Sequence, residues 1–146
     1  MQLTLSPAGR SLVVTGALLF LAGVLQGAVI DMHANPRMAL SAHLDAVQSG
    51  MAVMIAGILW SVTRLGDLAE RVARWTLAIG MVGLWVGLTV AAVSGASEVL
   101  PMAGAGHSGS ALAETVVAVL VLGSSGLLSI GWALLVWGLL RASMPR

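Results

Sequence analysis

The chain of 146 residues contains no cysteine, no lysine and no tyrosine, and a single phenylalanine. Without thiols it has no disulfide staple, no thiolate nucleophile and no cysteine-ligated zinc or iron–sulfur centre, and the redox state of its compartment goes unread. Charge is scarce too: 9% of residues carry it, against roughly a quarter in soluble domains. Seven basic residues against six acids leave a net charge of +1 and no basic stripe, so no nucleic-acid partner is expected.

What remains is mostly hydrocarbon, 58% of the residues, with a mean hydropathy of +0.98. Apolar stretches run over 11–30, 41–63, 75–95 and 111–140, each at or above the roughly 20 residues that cross a bilayer core. The expectation is an all-α integral membrane protein: one domain, a four-helix bundle running up-down-up-down in the lipid bilayer, its connections short. The first stretch is longer than a signal-peptide core and lacks a convincing cleavage site, so it counts as a span. The fourth is too long to stand upright, so it tilts, or its first turn with Glu114 lies at the interface.

Arginines set the expected orientation. Arg10, Arg64, Arg71, Arg74, Arg141 and Arg146 fall on one side and Arg37 alone on the other, which places both termini in the cytoplasm. Trp60, Trp75 and Trp137 lie near the arginine ends of their spans, where an indole reaches the head groups. Asp67 and Glu70 are spaced for ion pairs with Arg71 and Arg74 in a short solvated helix.

The opposite side gathers Asp31, His33, Asn35, Arg37, Glu98 and His107, with His43, Asp45 and Glu114 on the flanking spans. His43 carries the most information. Hydrocarbon solvates imidazole poorly, so a histidine inside an apolar span serves as a hydrogen-bonding node, a proton carrier or a metal ligand. Ala39, Ala46, Val47 and Gly50 share its helix face. Small residues there permit close helix packing, or they support a flat prosthetic group whose iron His43 Nε2 holds axially; spacing alone leaves both open. Arg37 suits a propionate or anchors its loop among lipid phosphates. Asp45 caps backbone, pairs with Arg37 or carries a proton, Glu114 complements a helix dipole or takes part in catalysis, and His107 is a loop residue or a further contact.

The run Asn35-Pro36-Arg37-Met38-Ala39-Leu40-Ser41-Ala42-His43-Leu44-Asp45, followed by Ser49-Gly50, resembles the signature of the hydroxylaminobenzene mutases, small four-span bacterial membrane isomerases. Pro101 and Gly104-Ala105-Gly106-His107-Ser108, with Glu114 beyond, are similar to their third loop. The styrene oxide isomerases look like distant relatives, trimeric haem b proteins sharing the Ala-His that opens the second helix and a glycine seven residues on. The resemblance implies haem b held by His43, catalytic roles for Ser49, Asp45 and Glu114, a homo-trimer in the bacterial inner membrane, and a small apolar aromatic substrate. The implied reaction turns an arylhydroxylamine into an aminophenol, or an aryl epoxide into an aldehyde, with iron as Lewis acid.

Two departures stand out. Those families carry Asn where this chain has Ser49, and a Tyr or Asn on the third helix where it reads Gly83-Leu84-Trp85-Val86-Gly87-Leu88. The alternative of another class is a non-catalytic haem-carrying or electron-transfer subunit. A bis-histidine haem would want a second histidine at depth, and His33 and His107 lie in connections.

Overall fold

A computed structural model describes residues 5–143. Four helices, α1 (Pro7–Gly27), α2 (Pro36–Leu59), α3 (Asp67–Ser94) and α4 (Ala111–Ser143), account for most of it, with 3-10 turns at Ile30–Met32 and Trp60–Val62 and no strand among the described residues. Each helix is long and apolar enough to cross a membrane. Arg146 lies outside the described residues.

Capping, rather than hydropathy, sets the helix starts. Ser6 Oγ accepts from Gly9 N ahead of Pro7, and Asn35 Oδ1 accepts from Met38 N ahead of Pro36; both are a polar N-cap followed by proline in the first turn. α2 therefore begins five residues before its apolar run. α3 begins at Asp67, so the expected short solvated helix is its first two turns, with Asp67 and Glu70 toward the positive end of the dipole. No ion pair joins them to Arg71 or Arg74 among the described residues. Glu70 Oε1 instead accepts from Trp60 Nε1 at 3.0 Å. Trp60 is thus buried within the protein at the arginine end of the bundle. Trp75 and Trp137 are exposed, beneath the guanidinium groups of Arg74 and Arg141 at 4.8 and 4.1 Å from the ring centres.

Glycines hold the α1/α2 hairpin together at a seven-residue interval. A Cβ on Gly9 would come within 2.5 Å of Gly57 O, and one on Gly16 within 2.5 Å of Gly50 O. Such close backbone approach is how helices associate in lipid, where no hydrophobic force drives them together. The α3/α4 hairpin uses the same device, Gly80 against Leu128, Gly83 against Ser124 and Gly131 against Leu77. Two apolar clusters join the hairpins across α2 and α3, one around Leu12, Val53, Leu77 and Leu135, the other around Met38, Ala42, Leu88 and Val117. α4 packs mainly on α3, and α1 touches α3 only sparsely, so the bundle is open along that side.

Gly50→Val should lower thermal stability in detergent by about 1–3 kcal/mol, because its branched side chain meets backbone it cannot displace. Gly123→Ala and Gly126→Ala, whose added Cβ meets nothing within 4 Å, should be neutral or slightly stabilising. Equal losses in all three melts would rule out the backbone contact as the cause.

Candidate functional site

The ladder that pairs Gly9 with Gly57 and Gly16 with Gly50 reaches His43 on its third rung, seven residues before Gly50. Across from it stands Gly23. His43 Nδ1 lies 2.7 Å from Gly23 O, and a carbonyl can only accept, so Nδ1 carries the proton and Nε2 keeps its lone pair. Gly27 leaves the ring its space: a Cβ there would lie 2.8 Å from Cε1 and 2.9 Å from Nδ1. The ring is half-buried, and Nε2 makes no hydrogen bond among the described residues.

This is the tautomer and orientation of a ligating histidine, whose second nitrogen is pinned by a backbone acceptor. Among the described residues no three His, Asp or Glu side chains come together to hold a bare metal ion. A lone imidazole suits a metal that brings its other donors with it, as iron in a porphyrin does.

The surroundings differ from the expectation in one respect. Ala46, Val47 and Gly50 face α1: a Cβ on Gly23 would lie 2.7 Å from Ala46 Cβ and 2.9 Å from Val47 N, and one on Gly50 would lie 2.7 Å from Gly16 O. Ala39 is fully buried in the α2/α3 cluster. None of these four offers a free surface to a flat ring, because close packing has already used the small side chains. Beside His43 along α2, Leu40 and Leu44 are exposed.

Asp45 and Ser49 stand about 200–240° around α2 from His43. Ser49 Oγ donates to Asp45 Oδ1 at 3.2 Å, and Asp45 Oδ2 is buried without a partner. The structure does not bring this pair onto the face of His43. Arg37 is exposed and reaches Met102 O at 3.4 Å, away from Asp45. Glu114 is a buried clamp: its carboxylate accepts from the backbone N–H groups of Ser97, Glu98 and Gly109, all at 3.0 Å. With its oxygens committed to folding the α3–α4 connection, its expected catalytic role gives way to a structural one. His33 Nδ1 bonds Val29 O, and His107 is exposed in that connection.

A family model described as styrene oxide isomerase matches residues 8–140. The chain belongs to the styrene oxide isomerase family. It is 35% identical over 142 residues to hydroxylaminobenzene mutase HabB of Ectopseudomonas oleovorans, covering 97% of this chain and 87% of that one. To hydroxylaminobenzene mutase HabA of the same organism it is 34% identical over 108 residues, 73% of this chain and 80% of that one. No solved structure matches at a significant level. With relatives named isomerase and mutase over nearly its whole length, this family member is an isomerase, and its four apolar helices make it a multi-pass membrane protein.

Two residues gain weight only from the coordinates. Gln26, buried near the end of α1, accepts from Trp85 Nε1 at 2.7 Å and donates to Thr89 Oγ1 at 3.1 Å. This pins α1 to α3 one turn from the carbonyl that orients His43, and it uses the Trp85 that stands on the third helix of this family member. A lone amide in an apolar span is the signal that could have marked it. Asn35 ties the two outer connections together: besides capping α2, it donates from Nδ2 to Ala103 O at 3.0 Å and from its backbone to Ala92 O.

Asn35→Ala should cost about 1–3 kcal/mol, since it removes a cap and orphans buried carbonyls. Glu114→Gln should lower the melting temperature while leaving the turnover of the folded fraction near wild type. Turnover lost without a change in melting temperature would restore the catalytic reading of Glu114.

Proposed function

We propose that the chain is a haem-dependent isomerase of the bacterial inner membrane, both termini cytoplasmic, that rearranges an arylhydroxylamine to an aminophenol. The observation carrying this reading is His43, a half-buried ring with Nδ1 committed to Gly23 O and Nε2 without a hydrogen bond among the described residues. The sequence relationship to hydroxylaminobenzene mutases supports the substrate class. The family model's description favours a second reading, conversion of an aryl epoxide to an aldehyde.

Haem iron, when bound, supplies a Lewis acid that draws electron density from a substrate oxygen. His43 would hold it through Nε2, and Arg37, exposed in the first turn of α2, would be available to a propionate. The overall change is redox-neutral: an N–O bond breaks, a ring C–O bond forms, the ring loses a proton and nitrogen regains one. Asp45, whose Oδ2 is a buried acceptor without a partner and whose Oδ1 accepts from Ser49, stands off the His43 face of α2 and is given no step at a group held by His43. Because the His43 ring is only half-buried, a neighbouring copy would wall the site from lipid, and a homo-trimer supplies one. A small apolar aromatic substrate then enters from the bilayer.

Purified wild-type protein is expected to show an iron-porphyrin Soret band that His43→Ala removes or shifts strongly. Gly27→Val, which drives a side chain into the imidazole, should perturb the same band. Asp45→Asn should keep the band and leave turnover of the folded fraction near wild type, because the carboxyl stands off the His43 face of α2. A Soret band untouched by His43→Ala would refute ligation by this residue. Product analysis decides between substrates, aminophenol from phenylhydroxylamine supporting the first reading and phenylacetaldehyde from styrene oxide the second.

A further inference from the structure

At the arginine end of the bundle, a cavity of about 540 Å³ opens between the starts of α1 and α3. Its charged lining is Asp67, Glu70, Arg71 and Arg74, two anions and two cations. Neither arginine is paired with a carboxylate among the described residues; Arg74 lies over the exposed Trp75, and Glu70 has only one oxygen engaged, by Trp60. The polar groups here are therefore charged, adjacent and largely unspent.

Deeper along the same two helices the lining changes character. An open cleft of about 410 Å³ runs past Thr15 of α1, Trp75, Ala78, Val82 and Val86 of α3 and Leu120 of α4, with almost wholly apolar walls. A further hollow of about 300 Å³ shares Thr15 and Val82 with it and reaches Ala22 and Trp85. Arg71, Arg74, Trp75, Ala78, Val82 and Val86 recur at helical spacing, so head and cleft lie on one face of α3. From Trp75 to Val86 the axial length is about 16 Å at 1.5 Å per residue, half the roughly 30 Å hydrocarbon core and so one leaflet deep. Trp75 marks the interfacial level.

We propose that this cleft binds one zwitterionic glycerophospholipid with a primary ammonium head group, of the phosphatidylethanolamine class. Its phosphate lies between Arg71 and Arg74, where guanidinium forks match phosphate oxygens. Its ammonium meets Asp67 and the free oxygen of Glu70. One acyl chain fills the slot between α1 and α3, which glycine contacts do not close as they close the two hairpins. Charge selects the head group: phosphatidylglycerol, with neutral hydroxyls in place of the ammonium, would leave both carboxylates without a cation.

The test is native mass spectrometry of the full chain equilibrated in micelles with equal phosphatidylethanolamine and phosphatidylglycerol of matched chains. One ethanolamine lipid should be retained per protomer, at least fivefold over the glycerol lipid. The double variant Arg71→Ala/Arg74→Ala should retain it at least tenfold less. Val82→Trp, which fills the slot from an exposed position, should retain neither lipid, with helical content by circular dichroism as the folding control. Asp67→Asn should shift the preference toward phosphatidylglycerol. Equal retention of the two lipids, or retention that the double arginine variant leaves intact, overturns the proposal. So does the absence of any retained lipid in wild type, the outcome expected if a second copy of the chain covers the cleft.

Discussion

The register of α1 against α2 governs the functional end of this molecule. Two rungs of glycine against glycine bring the helix backbones so close that their carbonyls and added Cβ atoms would collide, and that proximity leaves no freedom to slide. The third rung repeats the spacing with His43 in place of glycine. A shift of one residue would turn the ring about 100° around the helix and away from Gly23 O, so tautomer and orientation both follow from packing two turns away. Nothing in the site needs a rigid cage when the helix pair itself is the jig.

The outer connections complete that arrangement by consuming polar groups that lipid would not tolerate. Asn35 caps α2 and bonds the α3–α4 connection, and Glu114 gathers three amides of the same connection. Side chains that read as candidate chemistry from composition are here the partners that irregular backbone requires near a membrane. Gln26 does the equivalent between α1 and α3, with Trp85 and Thr89. The exception is Asp45, with one oxygen bonded by Ser49 and the other by nothing. A hydroxyl has one proton to give and an amide has two, so the serine at position 49 bears directly on that orphaned acceptor.

Much of the architecture was legible in the sequence because hydropathy and the bilayer's thickness leave few alternatives. Four runs of sufficient length led to four helices, and the N-P-R-M-A-L-S-A-H run led to the histidine. The misreadings have a common physical origin. Hydropathy marks where lipid contact begins, whereas caps mark where helices begin, so α1 and α2, capped by Ser6 and Asn35, start earlier than their apolar runs. Facing could be read from a single helix only up to its partner: Ala46, Val47 and Gly50 do share the side of His43, but the sequence could not say that α1 lies against them. Trp60 looked interfacial by position and is buried, since its indole finds Glu70 across a ten-residue turn.

The openness of the bundle gives the two faces of the hairpin different tasks. On the α1/α2 side, glycine contacts exclude any filler, and the half-buried imidazole stands at the end of the seam. On the α1/α3 side, sparse contacts leave a cleft that the described residues do not fill. Unfilled apolar lining forfeits dispersion contacts, so a fitting apolar group gains them on entering. Occupancy there braces α1 from the side opposite α2. Since α1 carries the carbonyl that orients His43, whatever fills the slot also holds the helix to which the ring is tethered.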